Sequence, residues 1–317
     1  MTIEITETMA MRIVQLIDCG LVKGVGRPKP GEMCIEAVIC HALGLPHGDD
    51  PGCVARSLRQ LKIVLNDAQY SSNVARATCL KRLGLAQLGS KDAINEKQFA
   101  HLVAEMTIRK IVPIALRATA KISTIKHAVA LMTHAIVCEQ GGTQQAALAA
   151  ANAARVAAAD AYVARVAAAY VADAADAADA ADAADAAYVA RVDAYAADAA
   201  HAAAADAYVA DAADAAVTCA AATANAAADA ARIADAYAAA AAADAAYAAI
   251  STTDAARAAI YAADVIHIIT NATDAAHAKD NVLSIFAEEI VQILIKLNAP
   301  GCKWLYLAPF VPTNTTN

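Results

Sequence analysis

Along the front of the chain apolar residues recur at helical spacing, and glycine or proline breaks the pattern at short intervals. The first such run predicts a helix over 9–19, stopped at Gly20, whose backbone can turn left-handed. A loop with Pro28 and Pro30 follows, then a helix over 33–43 ended by Gly44, then a turn region over 46–52. A third helix is predicted over 54–65. A fourth runs to residue 88, with Ser72 or Asn73 as its cap and Gly89 as its end. A fifth starts at Asn95, with Glu96 near its positive end, and Pro113 is expected to kink or end it. A sixth covers 122–138. Gly141 and Gly142 then close a compact helical head over 1–140.

The pattern changes after Gly142. Residues 143–299, 157 in number, contain neither glycine nor proline. Alanine dominates, and it is the strongest helix former because it loses no side-chain entropy. A single helix of that length would extend about 235 Å, so turns are expected at the polar clusters 218–225, 251–254 and 270–274, which can cap helices. These place a very long helix, or several helices joined by hidden turns, over 143–217, and shorter helices over 225–250, 254–269 and 274–297. The last has large side chains in an amphipathic pattern and is expected to dock on the rest. The expected fold is all-α: a helical head over 1–140, a repetitive alanine-rich helical array over 143–270, and a C-terminal amphipathic helix with its tail over 274–310.

The array repeats itself. The pentapeptide YVARV stands at 162–166 and at 188–192, and YVAD at 170–173 and 208–211. An Asp-Ala-Ala triplet places aspartates at 173, 176, 179, 182 and 185. At about 100° per residue these five wind around the helix and leave it no dry face. The larger residues are better ordered. Tyr162, Tyr170, Tyr188 and Tyr195 fall within an arc of about 80° on an ideal helix, with Arg155 and Arg191 close by. They form a predicted contact stripe.

Composition sharpens this picture at two points. Hydrophobic residues make up 59% but aromatics only 4%, so the apolar content is mostly methyl groups, which stabilise only through close, repeated contact. Charge is divided unevenly. Residues 1–140 carry 17 Lys+Arg and 12 Asp+Glu, whereas residues 141–317 carry 8 and 20. A basic head and an acidic array favour head-to-array contact between subunits. Aspartates interrupt the alanine tract too often for a membrane span. Two glutamates within the first eight residues do not read as a secretory leader. A cytoplasmic chain with reduced cysteines is expected.

Candidate ligands concentrate between residues 34 and 53: Cys34, Glu36, Cys40, His41, His47, Asp49, Asp50 and Cys53. Zinc takes such residues, but neither the Cys-x-x-Cys nor the His-x₃-His spacing is present. His47, Asp49, Asp50 and Cys53 are the weak metal candidates, and His47 with either aspartate is the weak candidate for acid–base work. Structural use is the expectation: Cys34 and Cys40 in the core, the aspartates as turn formers or caps. No cofactor is expected. Gly24 and Gly26 lack the Gly-Lys-Ser/Thr signature of a phosphate loop. Arg56, Arg59 and Lys62, with Arg76, Lys81 and Arg82, are read as a solvated face or a patch for the acidic array, so nucleic acid is not an expected partner. Calcium requires converging oxygens, which the splayed triplet does not offer, and ice binding would require a threonine face that residues 144–217 lack.

The segments MCIEAV at 33–38, HGDDPGCV at 47–54 and APGCKW at 299–304 resemble those of uncharacterised bacterial proteins. In these a helical head and a tail are joined through a variable Ala/Tyr/Asp-rich middle. In composition alone, the middle is similar to that of alanine-rich, all-helical proteins labelled as immunity proteins. Neither resemblance implies an activity or a functional residue. The function expected is that of a non-enzymatic structural protein that self-associates through its array as a filament, ring or dimer. The alternatives are a protein that neutralises a protein partner, as immunity proteins do, and a metal-dependent enzyme centred on residues 34–53.

Overall fold

The computed structural model describes residues 4–161, 238–242, 255–269 and 275–310. Helix takes 73% of the described residues and no sheet forms among them, so the chain is all-α. α1 (Glu7–Asp18) begins at Thr6, whose hydroxyl accepts the Met9 N–H. α2 (Ile35–Ala42), α3 (Arg56–Asn66) and α4 (Asn73–Ala86) follow. Ser72 rather than Asn73 caps α4, accepting from the Ala75 N–H, and Asn95 does the same for α5 (Glu96–Met106) from Gln98. Each cap satisfies one of the N–H groups that a helix start leaves unmade.

Pro113 does not end the helix that begins at Glu96. The chain widens into a π turn, Thr107–Ile111, and continues as α6 (Val112–Ile122), with Pro113 in its first turn. Proline has no N–H, and its ring crowds the carbonyl four residues back, here that of Arg109. The Val112 N–H instead reaches back five residues to the Thr107 carbonyl. The wider turn takes up the register that proline breaks. Residues 114–121 are therefore helical, and the next helix, α7 (Ile125–Gly141), starts later than the pattern predicts because Ser123 is extended. Gly142 then turns left-handed, with φ of 60°, into α8 (144–161). A helical stretch at 238–242, α9 (Ala255–Ile269), α10 (Ala275–Lys296) and a 3-10 segment, Pro300–Leu307, complete the described chain. The polar clusters 251–254 and 270–274 flank α9 and lie outside the described residues.

Two compact units divide the chain: residues 1–157 together with 237–317, and residues 158–236. In the first unit α4 touches α1, α2, α10 and the 3-10 segment. Gly84 allows this closeness, because a Cβ there would stand 2.7 Å from Ile35 Cδ1 and 3.2 Å from Ile17 Cδ1. Gly301 does the same for the tail, where a Cβ would strike the Ala86 carbonyl and the Leu88 N–H. Ile13, Ile17, Leu80, Leu83, Phe286 and Ile290 are fully buried, each side chain contributing on the order of 1.5–3 kcal/mol. α9 packs on α6, α3 and α10, and its Ala255, Ala258, Ala259 and Ala262 have no exposed surface.

Acidic groups on α10 meet the head. Glu288 Oε2 accepts from Arg82 Nε at 2.9 Å, Glu289 pairs with Lys110 at 2.5 Å, and Asp280 accepts the Ser71 N–H at 3.0 Å. Part of the charge opposition between residues 1–140 and 141–317 is therefore satisfied within one chain, through the C-terminal helix rather than the array. Among the described residues no helix is long and apolar enough to cross a membrane.

Candidate functional site

Residues 34–53 and α3 fold together around a buried ion pair. Glu36 stands in the first turn of α2 and Lys62 on the inner face of α3, with 1% and 0% of their side chains exposed. Lys62 Nζ lies 2.7 Å from Glu36 Oε1, but the angle is poor for a hydrogen bond, and the second oxygen, Oε2, has no hydrogen-bond partner. Burial pushes the Glu36 carboxyl up from its ordinary range, against the charge of Lys62. The same burial pushes the Lys62 ammonium down, against Glu36. Both shifts express one fact: this pair sits where water does not reach.

Three thiols surround the pair. Cys34 caps α2, its Sγ accepting the Ala37 N–H at 3.3 Å. Burial raises the thiols of Cys34 and Cys53, and that of Cys40 to about 11. Such thiols stay protonated at neutral pH and are poor nucleophiles and poor metal ligands. The seven described cysteines are free thiols; Cys219 lies outside the described residues.

The weak metal candidates do not come together. His47 donates from Nε2 to the Gly26 carbonyl at 3.1 Å and so anchors a loop. Asp50 accepts the Gly52 N–H at 3.0 Å and pairs with Arg59, closing the turn before α3. Arg59 holds its carboxyl below the usual range, helped by Gly52. Cys53 is buried beneath that turn, and its carbonyl accepts from Lys91. Asp49 is exposed. Among the described residues no group of three or more His, Cys, Asp or Glu side chains is placed to hold a metal ion.

A cleft of ≈ 80 Å³ opens beside Glu36. One side is the loop at Gly24 and Val25, another the start of α2 with Cys34 and Ile35, and the rest Asp49 and the end of α3, with Ile63, Asn66 and Asp67. Asn66 Oδ1 accepts the Ile35 N–H and its Nδ2 donates to the Val22 carbonyl, while Asp67 Oδ1 accepts the Gly24 N–H at 2.8 Å. These bonds fix the walls.

The row of basic residues read as a face is mostly committed. Besides Arg59 and Lys62, Arg76 is buried and donates to the carbonyls of Asn66, Leu21 and Ala68. Lys81 pairs with Asp18, and Arg82 with Glu288. Of the predicted contact stripe, Tyr162, Tyr170, Tyr188, Tyr195 and Arg191 lie outside the described residues; Arg155 is exposed on α8.

Among the described residues, exposed apolar side chains line up on α7. Ile125, Val129, Met132 and Ile136 are 86%, 63%, 40% and 44% exposed. Their spacing of four, three and four residues sets them within an arc of about 60°. On the opposite side Leu131, Ala135 and Cys138 are fully buried. The stripe was present in the sequence, but a helix apolar on both sides does not reveal which side faces solvent.

Compared with protein-family models, with curated proteins and with solved structures, the chain matches none.

Proposed function

We propose that this chain is a non-enzymatic structural protein that associates with further copies of itself, and that the α7 stripe is one of its contact surfaces. The exposed row Ile125, Val129, Met132 and Ile136 carries the reading: contiguous exposed apolar surface marks interaction sites. The face is also self-complementary. An antiparallel pair of α7 helices centred between Met132 and Thr133 sets Val129 of one copy against Ile136 of the other. The same register sets Lys126 against Glu139, which keeps 38% of its side chain exposed beside Arg117. A two-fold contact of this kind closes on itself.

α7 is about 25 Å long, and a stripe about 10 Å wide covers about 250 Å² per copy. A stable interface needs about 800 Å². α7 alone therefore gives weak association, and the remaining area is assigned to Leu148 and Val156, exposed on α8, and to the tyrosines of the array.

Light scattering across a concentration series tests the proposal. The wild type is expected to show mass above that of the monomer, and Val129→Glu with Ile136→Glu to lower it while helicity and melting temperature hold. Equal masses for both proteins would sink it. A monomeric wild type whose α7 variants melt earlier would instead show that the chain's own residues cover the face. A monomer that captures a different protein through the stripe would favour the partner-neutralising reading.

A further inference from the structure

We propose that Met132 is an oxidation switch for assembly: a hydroperoxide converts its thioether to the sulfoxide and so releases the α7 contact. This inference rests on the self-association reading and names the regulation of that contact. The stripe consists of Ile125, Val129, Met132 and Ile136. Three of these are branched hydrocarbons, and only Met132 carries an atom that a mild oxidant attacks.

The position of that atom decides its effect. In the two-fold register the axis passes between Met132 and Thr133. The two copies of Met132 therefore flank the axis, each against Thr133 of the other copy, with Val129 and Ile136 on either side. The Thr133 hydroxyl already donates to the Val129 carbonyl of its own helix at 2.8 Å, so its hydrogen is committed. A sulfoxide oxygen closed into this contact meets no free donor, and burying an acceptor without one opposes association. In the monomer Met132 is 40% exposed, and the same oxygen is hydrated. The small area of the α7 contact keeps a monomer population within reach of the oxidant.

The step balances. The sulfur lone pair attacks the terminal peroxide oxygen, an S–O bond forms and the O–O bond breaks. The leaving oxygen takes the proton and departs as water or an alcohol. Sulfur is oxidised and the peroxide reduced by the same electron pair. A dithiol reverses the change, taking the oxygen away as water and becoming a disulfide.

Another methionine provides the comparison. Met33 and Met106 are buried and Met9 is half-buried. Met11, on α1, is 41% exposed, as open as Met132, and lies off the stripe. Exposure does not separate the two, but location does.

Light scattering of the full chain across a concentration series, before and after hydrogen peroxide, tests the inference, with peptide mapping to locate the added oxygen. Untreated wild type is expected above the monomer mass. After peroxide, Met132 and Met11 should both carry oxygen, and the dissociation constant should rise at least about tenfold. Methionine sulfoxide reductase with a dithiol should restore the first value. Met132→Leu, close in volume, keeps every cysteine and Met11 and should hold its mass in peroxide, whereas Met11→Leu should respond as the wild type does. A monomeric untreated wild type overturns the self-association reading and this inference together. An assembled wild type that keeps its mass with Met132 oxidised overturns this inference alone. So does an assembled Met132→Leu protein that dissociates in peroxide, or a Met132 that stays unoxidised in dilute protein while Met11 reacts.

Discussion

Lys62 and Glu36 illustrate how a charge can be stable in a place that neither residue would occupy alone. Each sits among apolar neighbours, Lys62 between Leu61 and Ile63, and Glu36 within the run from Ile35 to Cys40. Removing one partner of a buried pair strands the other, at a cost of about 3–5 kcal/mol, whereas replacing both by apolar residues is close to neutral. Lys62→Met is therefore expected to lose that amount in urea unfolding, and Glu36→Leu with Lys62→Met to recover most of it. A double variant as unstable as the single would show that the two charges are not coupled. The three-residue spacing of Arg56, Arg59 and Lys62 reads as a solvated basic row, yet the row splits by burial. Arg56 is exposed and Lys62 has no exposed surface. Lys62's surroundings are decided by a partner 26 positions earlier, beyond the range of any helical period. The legible sign was weaker: a charge interrupting an otherwise apolar run.

Helix ends and helix junctions set the next level. Glu96 serves the start of another helix, because its Oε2 accepts the Ser57 N–H at 2.8 Å, at the start of α3. The Ser57 hydroxyl beside it, and then the bonded Ser57 N–H, hold the Glu96 carboxyl below the usual range. A carboxylate so depressed contributes stability above its unfolded pKa, and that stability is lost as pH falls through the folded value. Glu96→Gln is expected to cost about 0.5–1 kcal/mol at pH 7, a cost that fades as pH falls through the titration of the folded carboxyl. A difference that stays constant across this range would show that charge is not the cause. Most elements of the head were readable because their ends carry local signals, such as Ser72, Asn95 and Gly89. The α5–α6 junction was not. Proline announces a lost hydrogen bond, but whether the chain breaks or widens depends on tertiary contact, here of the π turn with α7 and α9. α7 was readable as a helix and silent about its faces, and the Glu36 cleft was unreadable because four separated segments build it.

At the scale of the molecule, the first compact unit is assembled from two stretches of sequence, 1–157 and 237–317, with 158–236 between them. The tail returns as far as α1, where the Tyr306 hydroxyl donates to Glu7. The charge division between halves was legible, but its use was only half anticipated, since α10 brings Glu288 and Glu289 to Arg82 and Lys110 of the same chain. The triplet tract belongs to neither of these two stretches. Deleting residues 173–187 should shift the melting temperature by less than about 2 °C, as read by circular dichroism. A larger loss would mean that the tract is needed for folding.

A unit closed at both ends of a long insert sets an unusual rule for inheritance. Because the helices that complete the unit lie downstream of the tract, copies that gain or lose whole triplets keep their reading frame and reach α9 and α10 unchanged. The two stretches that contact each other are thus encoded on either side of the repeat.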